Sequence, residues 1–265
     1  MRLTSWNFLH GLPTPLTEAT HQGLAGAIDA LGADVLGLQE VDYFLSRSEN
    51  ENQVAQIAHF MRTSHWAFAP SVMGSPDEDW RAPKSSDATV VTEKSPGAPG
   101  YGIGLVSKIP VTSWHRLELN VASVGIFMKL PRNGTIKRIY VHDHPRSAIA
   151  AVLENGWLVV NTHLSFVPFF NYLQLLQVKR WTKKLPIKDK NKIIIMGDLN
   201  LRFSSLVRGV NWNSLATKLT FPSWTPKVQI DYILSQKVAS EDVIHVQLAP
   251  SGISDHLPIS VDVDQ

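Results

Sequence analysis

Short apolar runs, each closing on a polar cluster, recur along the chain. They are rich in valine, isoleucine and leucine, and runs of about 4–8 such residues between polar clusters are typical of buried strands. The runs are Leu3 to Phe8, Val35 to Leu38, Gly102 to Ser107, Leu158 to Asn161, Ile193 to Met196, Ile230 to Leu234 and Ile259 to Val263. The pattern predicts a buried strand at each of them.

Two longer segments follow a helical period instead. The first, Thr17 to Leu31, begins at a threonine that can cap it and has apolar residues at Leu24, Ile28 and Leu31. The second, Phe169 to Leu185, has them at Leu173, Leu176, Trp181 and Leu185. Strands and helices mixed along one chain predict an α/β layered fold.

Two irregular segments interrupt these elements. The stretch from Met73 to Gly100 contains Pro76, Pro83, Pro96 and Pro99, too many prolines for a helix interior or a central strand. We expect a long loop that borders the substrate cleft, because loops of this length in compact domains are usually functional or disordered. The stretch from Ser204 to Pro226 is expected to form a second wall.

Composition supports one globular domain over residues 1–265, since 265 residues of which 44% are hydrophobic can enclose a large core. The 25 basic and 23 acidic residues leave a net charge of +2. That is far from the basic excess of non-specific DNA binders, so charge alone names no partner.

The chain contains no cysteine, which excludes disulfides, thiolate metal sites and cysteine nucleophiles. Any metal must therefore be held by oxygen and imidazole ligands, a set that suits Mg²⁺ or Mn²⁺. The opening MRLTSWNFLHGL lacks the features of a secretory signal, and no run of about 18 apolar residues occurs. These features predict a cytoplasmic enzyme without a membrane span.

Acidic, amide and imidazole side chains follow the ends of the predicted strands. They are Asn7, Glu40 in LGLQE, Asp198 and Asn200 in IIIMGDLN, Asp231 in IDYIL, and Asp255 and His256 before the last strand. One acidic residue at a strand end is a common turn former, but so many together indicate a site. Carboxylates that hold hydrated Mg²⁺, a carboxylate base and a histidine charged by an aspartate are what phosphodiester hydrolysis requires.

The order of these motifs resembles the endonuclease/exonuclease/phosphatase superfamily. The matching motifs are SWN, LQEVD, YGIGLVSKIPV, VVNTHL, IMGDLN, IDYIL and SDHLP, and together they extend from Thr4 to Val261. The resemblance implies a four-layered αββα sandwich, with two mixed β-sheets packed face to face and helices outside. It also implies divalent-metal-dependent hydrolysis of a phosphoester, at a site on one edge of the sandwich.

The resemblance further assigns metal-binding roles. Glu40 is similar to the principal metal ligand of the family, and Asn7 and Asp255 to residues that contribute directly or through water. The expected cofactor is Mg²⁺ or Mn²⁺.

Catalytic roles follow from the same motifs. Asp198 resembles the residue that orients or deprotonates the attacking water, and Asn200 its partner on the phosphate oxygen. His256 is similar to the phosphate-contacting histidine, and Asp231 to the carboxylate that orients and charges it. His163 resembles a second family histidine, placed near the phosphate or the leaving oxygen.

Arg146 lies before the strand that leads to NTHL, where many family members carry a phosphate-contacting arginine. The alternative for Arg146 is a surface ion pair.

The substrate is less narrowly indicated than the chemistry. His163 stands where the abasic-site repair branch has tyrosine, which favours the branches that resemble deoxyribonuclease, sphingomyelinase and inositol phosphatase. The motifs of inositol phosphatases and a membrane-entry hairpin are not evident, so a nuclease-like phosphodiesterase is favoured, with nucleic acid as partner. The alternatives are an enzyme for a small or lipid-derived phosphoester, such as an inositol phosphate, and a non-catalytic phosphate-binding module.

Overall fold

The computed structural model describes residues 1–14, 23–87, 89–132, 135–209 and 211–264, with the backbone alone at 129–132 and 135–136. Its strands are β1 (Arg2–Asn7), β2 (Val35–Tyr43), β3 (His65–Gly74), β4 (Trp80–Arg81), β5 (Gly100–Ser107), β6 (Val111–Leu119), β7 (Gly125–Arg132), β8 (Thr135–His142), β9 (Arg146–Leu153), β10 (Leu158–His163), β11 (Ile193–Asp198), β12 (Asn213–Ser214), β13 (Asp231–Ser235), β14 (Ile244–His245) and β15 (Ile259–Asp262). Its helices are α1 (Leu24–Leu31), α2 (Gln53–Phe60), α3 (Phe170–Thr182) and α4 (Ser204–Arg208).

These strands form two large mixed sheets and one hairpin. Sheet I has the order β14-β15-β1-β2-β5-β3-β4, and sheet II has the order β12-β13-β11-β10-β9-β6. The pairs β1–β2 and β10–β11 are parallel, while β1–β15, β9–β10 and β11–β13 are antiparallel. Strands β7 and β8 pair with each other as a separate two-stranded sheet.

Side chains that alternate along the strands build three apolar layers. Between the sheets, Leu3 and Ile103 of sheet I belong to one buried cluster with Val159 and Ile194 of sheet II. The outer face of sheet I packs against α1 and α2, and the outer face of sheet II packs against α3 and α4. The order helix, sheet, sheet, helix confirms the αββα sandwich.

Each of the predicted strands is present, although its bounds shift by a few residues. The predicted first helix begins at Leu24, and Thr17 lies outside the described residues. The segments from Met73 to Gly100 and from Ser204 to Pro226 are irregular but contain the short elements β4, α4 and β12. The apolar pattern missed α2, β3 and the run of strands from β6 to β9.

The predicted apolar face of α3 is confirmed in part, since Leu185 is buried and Trp181 packs against the same core cluster. Leu173 is 43% exposed, whereas Asn171 and Gln174 are buried beside Leu175 and Val178. The polar side chains are buried because they hold neighbouring backbone: Asn171 donates to the Asn200 carbonyl at 2.9 Å, and Gln174 accepts from the Ser165 amide at 2.7 Å. A hydrophobic period cannot detect a helix that packs through hydrogen bonds.

Across the ranges that the structure describes, no helix is both long and apolar enough to cross a membrane.

Candidate active site

The parallel strand pairs bring the predicted site residues to one edge of the sandwich. Asn7 is the last residue of β1, and Glu40 lies near the end of its parallel neighbour β2. In sheet II, His163 pairs in register with Asp198, the last residue of β11, and Asp198 pairs with Asp231 of β13. Because parallel neighbours end at the same side, and β13 begins there beside β11, five strands contribute side chains to one small region.

A β-bulge aims Glu40 into this region. Along β2, Leu36 and Leu38 face the helices, so a regular strand would turn Glu40 to that side as well. The register shifts between Gln39 and Val41, Glu40 adopts a φ of 55°, and Val41 takes the helix-facing position instead. The bulge re-aims one carboxylate and keeps the hydrophobic pattern intact.

Glycine is required at position 197 because the backbones of β10 and β11 approach each other closely there. Its φ is 147°, and a Cβ at this position would lie 1.8 Å from the Thr162 carbonyl oxygen. Only glycine avoids that overlap. The glycine of GDLN therefore allows Asp198 to sit directly beside His163.

Asp198 is the centre of the site. Its Oδ2 accepts from Asn7 Nδ2 at 3.0 Å and lies 3.6 Å from His163 Nε2 and 3.8 Å from His256 Nε2. Its Oδ1 accepts from the backbone amide of Asn200 at 2.9 Å. Burial, together with the negative charge of Asp231, raises the pKa of Asp198 to about 7.

His256 carries the positive charge of the site. Its Nδ1 lies 2.9 Å from Asp231 Oδ2, which also accepts from the Thr220 hydroxyl. Burial opposes the charged imidazole, but the charge and hydrogen bond of Asp231, with the charges of Asp198 and Asp255, outweigh it and raise the pKa of His256 to about 10. The side chain is therefore an imidazolium at neutral pH.

His163 has the opposite electrostatics. Burial, and the positive charges of Arg146 and His256, hold the pKa of His163 well below its ordinary range. Its Nε2 lies 3.4 Å from Asn200 Nδ2 and 4.0 Å from Glu40 Oε1. The site thus combines one neutral and one charged imidazole on either side of Asp198.

Arg146 is buried rather than on the surface, with 3% of its area exposed. Its Nε lies 3.5 Å from Asp143 Oδ1, and its guanidinium lies 5.5 Å from the Phe166 ring centroid. Within the described residues, Nε and Nη1 have no hydrogen-bond partner. Buried donors without partners are costly, and here they belong to a group whose charge reaches both Glu40 and His163.

The acidic groups fit a divalent cation. Asn7 Nδ2 donates to Glu40 Oε1 at 2.9 Å, and burial raises the pKa values of Glu40 and Asp255, each of which also feels the other acidic groups of the site. Four carboxylates around one edge repel one another, and a bound cation would offset that repulsion. Glu40, with 22% of its side chain exposed, is also open to solvent.

A second group of possible ligands is less suitable. Atoms of Asp198, Asp231 and His256 lie within 4.8 Å of one another. However, a protonated imidazole cannot ligate a metal, and Asp231 is occupied by His256 and Thr220. Glu40 with Asn7 and Asp255 remains the predicted metal set.

Three residues of the site were not singled out from the sequence. Thr220 holds Asp231 from a segment outside every motif, so no sequence pattern marked it. Tyr101 is buried near Glu40 and Arg146, and burial raises its pKa well above the ordinary range. Asn161 bridges the two sheets below the site. The last two lie within the YGIG and NTHL motifs, which could have drawn attention to them.

Comparisons with known proteins identify the family and the fold of the chain. The model of the endonuclease/exonuclease/phosphatase family matches residues 4–256. Among solved structures, a mannosyl-6-phosphatase from Bacteroides thetaiotaomicron aligns with a TM-score of 0.58 and 14% identity, covering 99% of this chain and 98% of that one. The human Nocturnin catalytic domain aligns with a TM-score of 0.52 and 18% identity, covering 98% and 93% of the two chains.

Truncated TDP2 from Caenorhabditis elegans gives a TM-score of 0.51 and 15% identity, with 98% of this chain and 95% of that chain covered. At these identities the likeness shows a shared fold. A search of curated proteins found no significant match.

Proposed function

The chain belongs to the endonuclease/exonuclease/phosphatase family, whose members are metal-dependent phosphoesterases, and on this basis we propose that it hydrolyses a phosphodiester in nucleic acid. The observation that carries the proposal is the position of Asp198, which lies within 3.8 Å of both His163 and His256. A base between a neutral and a charged imidazole suits in-line attack of water on a phosphoryl group.

In this mechanism Asp198 orients the attacking water and takes its proton. A pKa near 7 suits this role, because a base works best when its pKa lies near the working pH. The Asn200 backbone amide holds Oδ1 of the carboxylate, and Oδ2, which also accepts from Asn7 Nδ2, uses its remaining lone pair for the water.

The positive groups stabilise the charge that develops on the phosphoryl oxygens. His256, kept charged by Asp231, donates to one oxygen, and the unpartnered N–H groups of Arg146 donate to another. The Asn200 side-chain amide donates to a phosphoryl oxygen, and His163, whose Nε2 lies 3.4 Å from Asn200 Nδ2, faces the phosphate or the leaving oxygen. Residues that act through charge already in place need no reorganisation during the reaction.

A divalent ion would be held by Glu40, with Asn7 and Asp255. When bound, Mg²⁺ or Mn²⁺ would neutralise charge on the phosphoryl oxygens during hydrolysis.

Metal dependence is tested with bis(4-nitrophenyl) phosphate. Chelation should abolish hydrolysis, and Mg²⁺ or Mn²⁺ should restore it; full activity in excess chelator would refute the proposal. Glu40→Gln should weaken Mn²⁺ binding at least about 10-fold in a calorimetric titration. Glu78→Gln, which removes the same charge at an exposed position, should leave Mn²⁺ binding unchanged.

The substrate is tested by comparing plasmid DNA, RNA, an abasic duplex, inositol phosphates and a sphingomyelin analogue under one Mg²⁺ condition. We expect cleavage of nucleic acid without selective incision at abasic sites, since His163 occupies the position of the repair-branch tyrosine. Affinity should fall as salt rises, because phosphate contacts release counterions. Phosphate release from monoesters alone would instead support an enzyme for a small phosphoester, and binding without turnover a non-catalytic module.

A further inference from the structure

A second group of cations surrounds a cavity outside the hydrolytic site. The cavity has a volume of about 500 Å³ and lies between α4 and the strands β12 and β13 of sheet II. Three basic side chains line it together with several hydroxyl groups. This cationic pocket is formed by Arg202, Arg208, Lys227, Ser204, Ser214 and Thr217.

The basic groups of the pocket have no acidic neighbour in its wall. Among the residues that the structure describes, none that lines the pocket is acidic. Arg202, Arg208 and Lys227 take part in no ion pair among the described residues, whereas Arg2, Arg47, Arg81 and Arg116 each pair with a carboxylate. A concave surface lined by charge of one sign concentrates field lines and attracts counterions.

The chemistry of the lining suits phosphate. Arginine presents a planar fork of N–H donors that matches two phosphate oxygens, and serine and threonine hydroxyls donate to further oxygens. The cavity is larger than one phosphate group requires, so it can accept a phosphate that is part of a larger molecule. We propose that the cationic pocket is a second phosphate-binding site, separate from the hydrolytic site.

The pocket is joined to the hydrolytic site through short stretches of chain. Arg202 follows Asn200 by two residues, and Leu219 in the pocket wall precedes Thr220, which donates to Asp231. Gln229, also in the wall, donates to the Asp231 backbone carbonyl at 3.2 Å. Because the two sites are this near along the chain, a phosphate in the pocket can be a second phosphate of the substrate, an assignment that rests on the proposed function. The other source is free phosphate.

Binding is tested by calorimetric titration of pyrophosphate into the metal-free protein. The triple variant Arg202→Gln/Arg208→Gln/Lys227→Gln is compared with Lys183→Gln/Lys184→Gln/Lys188→Gln, which removes the same charge from exposed positions elsewhere. Both are also placed in the His256→Ala background, where the hydrolytic site has lost its imidazolium. The pocket variant should bind pyrophosphate at least about 10-fold more weakly, and the control within about 2-fold of its parent. Equal affinities of the two triple variants would overturn the proposal.

The two sources of phosphate are separated by kinetics. If the pocket holds a second phosphate of the substrate, the pocket variant should raise the ratio of KM for an oligonucleotide to KM for bis(4-nitrophenyl) phosphate about 10-fold. If the pocket holds free phosphate, that ratio should stay constant in the pocket variant. Added phosphate should then change the turnover of the wild type but not that of the pocket variant. If no substrate is hydrolysed, the proposed function fails, but the calorimetric result still decides whether the pocket binds phosphate.

Discussion

The two ends of the layer between the sheets differ sharply in chemistry, although the same strands build both. At one end, Leu3 of β1, Val35 of β2, Val159 of β10 and Ile194 of β11 form a buried apolar cluster. Further along these strands, the inward-facing positions become Asn7, Glu40, His163 and Asp198. Each strand therefore runs from apolar side chains to polar or charged ones.

Amide side chains separate the two ends. Asn161 donates to the backbone carbonyls of Leu38 at 2.8 Å and Gly104 at 2.7 Å, and so joins sheet II to sheet I. Its carbonyl accepts from Gln39 at 2.6 Å, and Gln39 also donates to Ser5 at 3.2 Å. This network fixes the spacing of the sheets where apolar packing gives way to the charged site.

From this difference we expect one end to determine stability and the other to determine activity. Apolar burial stabilises the fold at one end, while buried carboxylates destabilise it at the other because charged groups lose solvation there. Substitutions at the apolar end should therefore lower stability and leave activity unchanged, and substitutions at the charged end should lower activity without lowering stability.

The largest effect is expected at the charged end. Asp198→Asn should lower turnover by at least about 10²-fold, because it removes the proposed base. Its free energy of unfolding should stay the same or rise, since a neutral amide is less costly to bury than a carboxylate. Turnover of bis(4-nitrophenyl) phosphate and urea unfolding measure the two quantities.

The matched control for this variant is Asp29→Asn, which makes the same change at an exposed position of α1. It should alter neither turnover nor stability. Normal turnover in folded Asp198→Asn would remove this residue from the mechanism.

At the apolar end, Ile194→Ala should lower the free energy of unfolding by about 2–5 kcal/mol, because Ile194 is fully buried and truncation leaves a cavity. Turnover below the new melting temperature should stay near the wild-type value. Unfolding should remain one transition if residues 1–265 form one domain, as we propose. Ile244→Ala, at a position that is 71% exposed, should be nearly silent. A large loss of turnover in folded Ile194→Ala would contradict the division between the two ends.

Within the charged end, Asp231 and His256 should act as one unit. Asp231→Asn removes the charge that keeps His256 protonated, so each single variant should lower turnover by about 10²-fold. The double variant should lose little more than either single variant, because the second substitution has no interaction left to remove. Multiplicative losses in the double variant would show that the two residues act independently.

The sequence predicted the strands that carry the site because each is a short apolar run that ends in a motif residue. It placed Glu40, Asp198 and Asp231 at strand ends, and the structure brings them to one edge. Motif order supplied their proposed roles.

Other features depend on contacts between distant segments and could not be predicted locally. The bulge at Glu40 is defined by register against β5, and Thr220 reaches Asp231 from a loop without a motif. Strands β6 and β9 pair over their whole length, but β6 carries mixed residues, so its period is weak. On α3, the period did not mark Asn171 and Gln174, which are buried because their side chains hold neighbouring backbone.

The smallest predicted effect concerns a buried charge far from the site, Lys179 of α3. Its Nζ donates to the Val207 carbonyl at 2.6 Å and lies 5.2 Å from the Trp212 ring centroid. Burial lowers the pKa of Lys179 from an ordinary value near 10.5 to about 8. If buried charge contributes to activity only at the charged end, Lys179 should affect stability and the pH dependence of stability but not turnover.

The direction of the pH effect follows from proton binding. Between about pH 8 and 10.5 the unfolded chain keeps the Lys179 proton while the folded chain releases it, so folding is increasingly favoured as pH rises through this window. Lys179→Met lacks this proton. Its stability relative to wild type should therefore fall as the pH rises from about 7.5 to about 10. Urea unfolding of both proteins, with exposed Lys183→Met as control, measures the difference. Parallel profiles of stability against pH for Lys179→Met and wild type would show that burying this lysine has no cost. Unequal turnover of the two proteins at pH 7.5 would show that buried charge outside the site also matters for activity.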